Sequence, residues 1–232
     1  MPTDGPTADG PTADGPGSEG PEVRAVEVPL RRMDRWLAGF EGRHGPWTAD
    51  LAAAPPPAWV LRAADSASAV VHLPPWLDSL HTAPTLGELV GMRPRFGVLL
   101  IRRAGYAVAC FDGRESVERK VGSRHVHGRT AAGGWSQQRY ARRRSNQADE
   151  IVGAAASAAD RILGGGAEHS AASDFLVTGG DRPLLVAALE RVSRAVADLP
   201  VRQHLAIGTP DAAVLAGVPD RVLAVRIEVT DG

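Results

Sequence analysis

The chain has 232 residues, enough for one or two domains that bury a substantial core. Its 26 Lys and Arg residues against 27 Asp and Glu give a net charge of −1, which excludes a uniformly basic nucleic-acid binder but not a local basic patch. Cys110 is the single cysteine, so an intrachain disulfide and a four-cysteine zinc site are excluded, and a reducing compartment is favoured.

The first 22 residues repeat Thr, Asp, Gly and Pro, with five acids, no base and no large apolar residue after Met1. Such a segment cannot bury enough apolar surface to offset its ordering entropy, so residues 1–22 are predicted to form a disordered acidic tail. The N-terminus lacks the basic and apolar regions of a signal peptide, and no stretch approaches 18 apolar residues. We therefore expect a cytoplasmic protein with no membrane partner.

Residues 23–92 are predicted to form a small α+β N-terminal extension. Apolar residues at helical spacing from Leu30 to Phe40 predict a helix. The sequences AWVLRAAD and SAVVHL predict two short strands joined through Asp65 and Ser66, and LPPWLDSL and TLGELVGM predict short helical pieces. Four tryptophans are expected in the core of this part: Trp36, Trp47, Trp59 and Trp76.

A clearer pattern begins at Phe96. The sequences FGVLLIRR, YAVACFDG and ESVERKVGS predict three consecutive strands, with tight turns at Gly105 and Gly113. A Gly-rich basic segment from 122 to 134 follows. One long helix is then predicted from about Ser136 to Leu163, where three glycines end it.

The C-terminal part alternates strands and helices. DFLVTGG predicts a buried strand, and Asp181 is the predicted N-cap of a helix that runs through Val196 with Pro183 in its first turn. A short strand near 205–207, a helix near 211–217 and a terminal strand RVLAVRIEV follow. Three strands followed by this alternation predict an α/β (α+β layered) fold of the ribonuclease-H-like kind.

The charge is unevenly distributed along the chain. The segment from Arg119 to Ala148 holds eight bases and no acid, so the remaining residues carry a balance of −9. An arginine run can be a solvated helix face, but here it is interleaved with aromatic and histidine side chains. Arginine binds phosphate in a bidentate manner and aromatic rings stack on bases, so the pattern favours RNA contact. The predicted RNA-binding residues are Lys120, Arg124, His127, Arg129, Trp135, Arg139, Arg142, Arg143 and Arg144.

The stretch HGRTAAGGWSQQRYARRRSNQ, residues 127–147, carries a specific resemblance. It resembles the Gly-Gly-Gln region of archaeal and eukaryotic class-1 peptide release factors, where a Gly-Gly-Gln-Ser loop leads into a helix bearing Arg-Phe-Ala-Arg. The resemblance is closer still to actinobacterial Vms-like release factors, relatives of the peptidyl-tRNA hydrolases that clear stalled large ribosomal subunits. It covers residues 96–229 in strand and helix order. The matching residues are Gly133, Gly134, Ser136, Arg139, Tyr140, Ala141 and Arg142.

The resemblance implies a release-factor-like catalytic domain over residues 93–232, with a flexible loop at 122–135. In an ungapped match Trp135 falls where release factors have the catalytic glutamine. The Vms-like relatives carry Gly-Ser-Gln, which makes Gln137 the first candidate if Trp135 is an insertion. Gln138 is the second candidate, and an inactive loop is the third possibility. Gly133, Gly134 and Ser136 complete the predicted catalytic set.

A glutamine amide is neutral and cannot act as a strong base, but it can position a water molecule and donate N–H to a developing charge. Backbone N–H groups of a glycine loop and the positive end of a helix can stabilise an oxyanion. The family implies that proton transfer involves the 2′-hydroxyl of the terminal adenosine of tRNA.

We therefore expect a monomeric peptidyl-tRNA hydrolase that needs no metal or cofactor. Its expected partners are the large ribosomal subunit, through rRNA, and peptidyl-tRNA. The alternative is a non-catalytic ribosome- or RNA-binding module of the same fold. The sequence shows no separate stop-codon-reading domain, so we do not expect codon-directed termination by this chain alone.

Three other groups of residues were weighed and are less favoured. His125 and His127 form an H-x-H pair, but no third metal ligand lies nearby in sequence. Asp112 and Asp174 are predicted near strand ends, where a nuclease of this fold class would bind two metal ions, yet such acids are few. Cys110 lies in an apolar strand, which favours a packing role.

Overall fold

The computed structural model describes residues 22–52, 58–79, 85–123, 136–165 and 173–232, and for residues 136–145 it describes the backbone. The predicted acidic tail, apart from Glu22, and the predicted loop from 124 onward lie outside these residues, so both stay predictions. Within the described residues no helix is long and apolar enough to cross a membrane.

The elements follow one another in two groups. The first comprises β1 (Val23–Pro29), α1 (Met33–His44), β2 (Trp47–Ala52), β3 (Ala58–Ala63), β4 (Ser68–His72) and α2 (Leu86–Gly91), with 3-10 turns at Leu30–Arg32 and Pro75–Ser79. The second comprises β5 (Arg95–Arg102), β6 (Gly105–Asp112), β7 (Glu115–Ser123), α3 (Ser136–Leu163), β8 (Phe175–Gly180), α4 (Arg182–Leu189), α5 (Arg194–Ala197), β9 (Val201–Leu205), α6 (Ala212–Ala216), α7 (Val218–Val222) and β10 (Ala224–Thr230).

Most of the strongly patterned elements lie where the sequence predicts them. The structure has the helix after Leu30, the hairpin through Asp65 and Ser66, the three consecutive strands and the long helix. Ser66 takes a left-handed conformation with φ of 76°, which closes the β3–β4 turn. β1 and β2 were not predicted, although β2 alternates apolar and polar residues from Trp47 to Leu51.

Two predictions in the C-terminal part were wrong in detail, and the predicted N-cap is right in position only. The helix expected from Asp181 through Val196 is divided into α4 and α5, because the Ser193 N–H donates to the Asp160 carboxylate of α3 (2.6 Å) at the break. Asp181 occupies the N-cap position without capping, and its carboxylate lies 3.5 Å from the Arg102 Nε instead. The strand expected at 205–207 is β9, at Val201–Leu205.

The ten described strands form two five-stranded sheets. The first is antiparallel, in the order β1-β10-β4-β3-β2. The second has the order β7-β6-β5-β8-β9; β5, β6 and β7 are antiparallel, whereas β8 and β9 run parallel to β5. This mixture of two sheets and several helices confirms the predicted α/β fold class.

The last strand of the chain belongs to the first sheet. β10 lies between β1 and β4, where Ile227 is paired with Val26 on one side and Val71 on the other. The N-terminal sheet is therefore completed by the C-terminus. The domain boundary at 92/93 stays a prediction. Because β10 follows this boundary in the chain but belongs to the first sheet, the boundary does not assign each sheet to a segment of its own.

Alternating residues of the second sheet face two different cores. Phe96, Val98 and Leu100 of β5 join a core shared with the first sheet, whereas Leu99 and Ile101 face α3 and α4. A column of stacked rings crosses the shared core, with centroid separations of 5.3–5.9 Å between Phe111, Phe96, Phe175 and Trp76. Trp76 is buried as predicted and donates from Nε1 to the Val222 carbonyl (2.9 Å), while Trp36, Trp47 and Trp59 are half-buried at the edge of this core.

Candidate functional site

The long helix α3 has two dissimilar halves. From Ile151 onward, apolar side chains repeat along one face and are buried: Ile151, Val152, Ala155, Ala158, Ala159, Ile162 and Leu163. Before Ile151, the described side chains of Asn146, Gln147, Asp149 and Glu150 are exposed. We call residues 149–163 the anchored half and residues 136–148 the projecting half.

Polar contacts hold the anchored half to the rest of the molecule. Asp149 binds Arg191 through its carboxylate (2.5 Å), and the Asp160 carboxylate accepts from the Ser193 N–H. Arg161 pairs with Glu118 of β7. Sequence analysis missed all three α3 residues as positioning groups, although they are three of the four charged residues in an otherwise apolar and small stretch.

The end of α3 packs closely on the sheet. A Cβ atom at Gly97 of β5 would lie 3.0 Å from the Leu163 side chain, so the glycine allows a close approach of the helix to the strand. Gly97 pairs with Cys110, and Cys110 pairs with Glu118. The C-terminal end of α3 is therefore fixed at the end of the β6–β7 hairpin that holds the Gly113 turn, and the helix runs antiparallel to β7.

This orientation allows the reach of the projecting half to be calculated. From Glu118, the β7 partner of Arg161, the strand continues five residues to Ser123, a distance of about 17 Å. From Arg161 back to Ser136 the helix covers 25 residues, or about 38 Å. The helix therefore continues about twice as far from the Arg161–Glu118 contact as the strand does.

The predicted catalytic glutamines occupy the opening turn of this projection. Ser136, Gln137 and Gln138 are the first three residues of α3, and no acid lies in its first turn. The first four N–H groups of a helix have no partner within the helix, and its N-terminus carries partial positive charge. The backbone therefore presents N–H donors beside both candidate glutamines.

The structure describes only some of the predicted RNA-binding residues. Lys120 and its neighbour Arg119 are exposed on β7, which is an edge strand. Arg139, Arg142, Arg143 and Arg144 lie in the projecting half. The remaining predicted site residues lie outside the described residues: Arg124, His127, Arg129, Gly133, Gly134 and Trp135.

Comparison with known families identifies the family to which the chain belongs. A family model described as the Actinobacteria/chloroflexi VLRF1 release factor matches residues 94–228, more than half of the chain. The chain belongs to this release factor family. The resemblance found in residues 127–147 is thereby confirmed at the level of the family. Among curated proteins, none matches the sequence.

The match places the described site inside the release factor module. It begins just before β5 and ends within β10, so it includes the second sheet, α3 and the intervening residues 124–135. A release factor functions in translation in association with the ribosome, and this role now applies to the chain. Residues 23–93, which build most of the first sheet, lie outside the match.

The base of the projection is tightly constructed. On β7, Gly122 faces the ring of Tyr106, and a Cβ atom at Gly122 would lie 2.3 Å from that ring. Tyr106 in turn packs against the core beneath α3. Gly122, which the Tyr106 ring covers, is therefore the next-to-last residue of β7, and the chain leaves the strand after Ser123.

The less favoured groups form no alternative centre in the part of the chain that the structure describes. No set of three or more His, Cys, Asp or Glu is placed there to hold a metal ion. Asp174 accepts a hydrogen bond from the Arg95 N–H (3.0 Å), which gives it a structural role, and Asp112 is exposed at the end of β6. Cys110 is buried, in agreement with its predicted packing role.

A charged cluster marks the end of the molecule opposite to the projection. Asp220 pairs with Arg114 at the β6–β7 turn and with Arg31 (3.1 Å) after β1. Hydrogen bonds from Arg114 and Arg31 hold the pKa of Asp220 well below its usual range. This cluster connects the release factor module to the N-terminal sheet, far from Ser136.

Proposed function

We propose that this release factor hydrolyses the ester between a nascent peptide and tRNA on the large ribosomal subunit. The observation that carries the proposal is the position of Gln137 and Gln138 in the opening turn of a helix that continues about 38 Å from its contact with β7. Side chains there can enter a narrow site that the body of the protein cannot enter. The family match supports the same reading.

The chemistry follows from the groups available at that turn. One glutamine amide holds a water molecule by its carbonyl, and its N–H₂ group and the free helix N–H groups donate to the oxyanion. A neutral amide does not remove the proton of the water, so a hydroxyl of the substrate takes part in proton transfer. No metal or cofactor is needed for these steps.

Binding follows from charge. The eight bases between Arg119 and Ala148 sit in a chain whose other residues carry a balance of −9. Contacts with rRNA phosphates concentrate on the base and helix of the projection, and the acidic remainder is repelled from RNA. This distribution favours one orientation, with the projection directed into the subunit. The ribosome also places this activity in the cytoplasm.

The experiment is release of labelled peptide from peptidyl-tRNA bound to large ribosomal subunits. Gln137→Ala should slow release on the order of 10²–10³-fold with little change in subunit binding, because one transition-state contact is lost. If Gln138→Ala shows that loss instead, the catalytic amide lies one residue further along. Gln147→Ala, a glutamine exposed later on the same helix, is the matched control and should leave the rate unchanged.

The second candidate is a ribosome-binding module without catalysis. It is favoured if the Gln137→Ala, Gln138→Ala double variant releases peptide as fast as the wild type while both bind the subunit. In that outcome the hydrolase proposal is wrong, and the projecting half serves only to bind RNA through its arginines.

A further inference from the structure

The N-terminal part of the chain carries a second basic surface that the release factor match does not include. A groove of about 560 Å³ lies between the end of β1 and one face of α1. Its lining includes Arg32, Arg35, Trp36, Gly39 and Arg43, with Glu27 on the β1 side. We call this surface the arginine groove.

The three groove arginines are exposed and uncompensated. Within the described ranges, Arg32, Arg35 and Arg43 make no ion pair or side-chain hydrogen bond, whereas their neighbour Arg31 is paired with Asp220. Glu27 is the single acid in the lining. The acids of α1, Asp34 and Glu41, lie on the opposite side of the helix, since each residue advances by about 100°. The groove is therefore a local region of positive charge.

An aromatic platform lies between these arginines. Trp36 is half-buried and stacks on the fully buried Phe40, with ring centroids 5.5 Å apart and planes inclined by 11°. This contact fixes the indole and leaves the rest of its surface on the groove. At Gly39 an added Cβ would meet no atom within 4 Å, so the space beside the ring is open.

We infer that the arginine groove binds a single-stranded segment of RNA, with phosphates on the arginines and a base stacked on Trp36. A cationic groove combined with a fixed aromatic ring is the combination that binds single strands without sequence readout. From position 32 to 43 the helix covers about 16 Å, which gives room for more than one phosphate. An acidic peptide would satisfy the arginines but would leave the indole unused.

The groove is separate from the proposed hydrolytic turn. Arg31, next to Arg32, shares Asp220 with Arg114 at the β6–β7 turn, and α3 projects from the other end of that hairpin. The inference therefore goes beyond peptide release. Two RNA contacts on separate parts of one chain strengthen binding to one large RNA without any new contact at the reacting ester.

The test measures the anisotropy of a fluorescein-labelled 12-nucleotide oligouridine with the full chain. All variants carry Arg142→Gln, Arg143→Gln and Arg144→Gln, so that the projecting half contributes less to the signal. On this background, changing Arg32, Arg35 and Arg43 to Gln should weaken binding roughly 10²-fold at about 50 mM salt and flatten the salt slope by about two units. The matched control changes the exposed Arg62, Arg182 and Arg194 to Gln and should change affinity less than twofold.

Substitutions of Trp36 provide a second test, because they change the aromatic ring and leave the charge of the groove unchanged. Trp36→Leu should weaken oligouridine binding about 5- to 50-fold, while Trp36→Phe, which keeps a ring, should lose much less. Thermal melts of both variants show whether each is folded. Equal losses in the groove triple and the control triple, or no loss in either, would overturn the inference.

The acidic tail is the competing occupant, because it joins β1 at Val23. Deleting residues 1–22 should change the affinity for oligouridine less than twofold. An increase of tenfold or more would mean that the tail occupies the groove, and RNA would not be its partner in the full chain. None of these assays requires hydrolysis, so their outcome is independent of the peptide-release experiment.

Discussion

The two halves of α3 show how one helix can serve two purposes. The anchored half is rich in alanine and isoleucine, is buried against the second sheet, and is fixed by Asp149, Asp160 and Arg161. The projecting half is rich in arginine and glutamine, and the part of it whose side chains are described is mostly exposed. The anchored half supplies the stability that the projecting half cannot supply for itself. A change in one half should therefore affect folding, and a change in the other should affect function.

The largest expected effect lies in the projecting half. If about five of the eight bases contact phosphates, raising salt fourfold should weaken binding of the wild type to ribosomal subunits roughly 10²–10³-fold. Changing Arg142, Arg143 and Arg144 to Ala should flatten the slope of log affinity against log salt by up to about three units, because those phosphate contacts are lost. The melting temperature should stay the same. The measurement is a salt series of subunit binding for both proteins.

The result that would contradict this prediction is an unchanged slope in the triple variant. The arginines would then be a solvated helix face, and the contrast between the two halves would be one of packing only. Peptide release at saturating substrate should fall less than affinity does, since these residues position the protein on RNA.

The next effect lies in the anchored half and has the opposite character. Ile162 is fully buried on the face of α3 that packs against the second sheet, so Ile162→Ala should lower the free energy of unfolding by about 2–5 kcal/mol. Ile162→Val removes one methyl group and should cost about 0.5–1.5 kcal/mol. Urea unfolding measures both values. Peptide release per folded molecule should not change; a catalytic loss in a folded Ile162→Val protein would show that the halves are coupled.

A smaller effect is expected where the two halves meet. The Asp149–Arg191 pair is largely exposed, so its interaction energy in a double-mutant cycle should be below about 1 kcal/mol. The cycle uses Asp149→Ala, Arg191→Ala and the double variant, followed by thermal unfolding. A coupling well above that value would mean that this pair, and not the apolar face, fixes where the helix leaves the sheet.

The smallest effect concerns the tail. Deleting residues 1–22 should leave the melting temperature and the rate of peptide release unchanged, because the segment has no large apolar side chain after Met1 with which to pack. Differential scanning calorimetry of the shortened and full chains checks the first part. A lower melting temperature after deletion would show that the tail contributes to the fold.

The sequence predicted α3 well because its signal is long and local. A periodic apolar face in the anchored half and glycines at the end define this helix without help from the rest of the chain. The resemblance likewise depended on a contiguous stretch from His127 to Gln147. The two halves of α3 were visible too, since charge changes sharply near Ala148.

Features that depend on distant partners could not be predicted. The break between α4 and α5 depends on Asp160, and β1 gains its place through β10, about 200 residues later in the chain. The reach of the projecting half required the Arg161–Glu118 contact, which no local pattern indicates. The arginine groove was missed because Arg32, Arg35 and Arg43 are dispersed in a segment of mixed charge.

The central position of β10 in the first sheet has a consequence for how this protein is made. β1 and β4 leave the ribosome early, but β10, the strand that joins them, follows about 200 residues after β1. At synthesis rates of about 5–20 residues per second, β1 waits roughly 10–40 s for Ile227 and its neighbours. The strands of the second sheet are complete by Leu205, so that sheet can pair while translation continues. A factor that works on ribosomes therefore completes its own N-terminal sheet only after β10 has been synthesised.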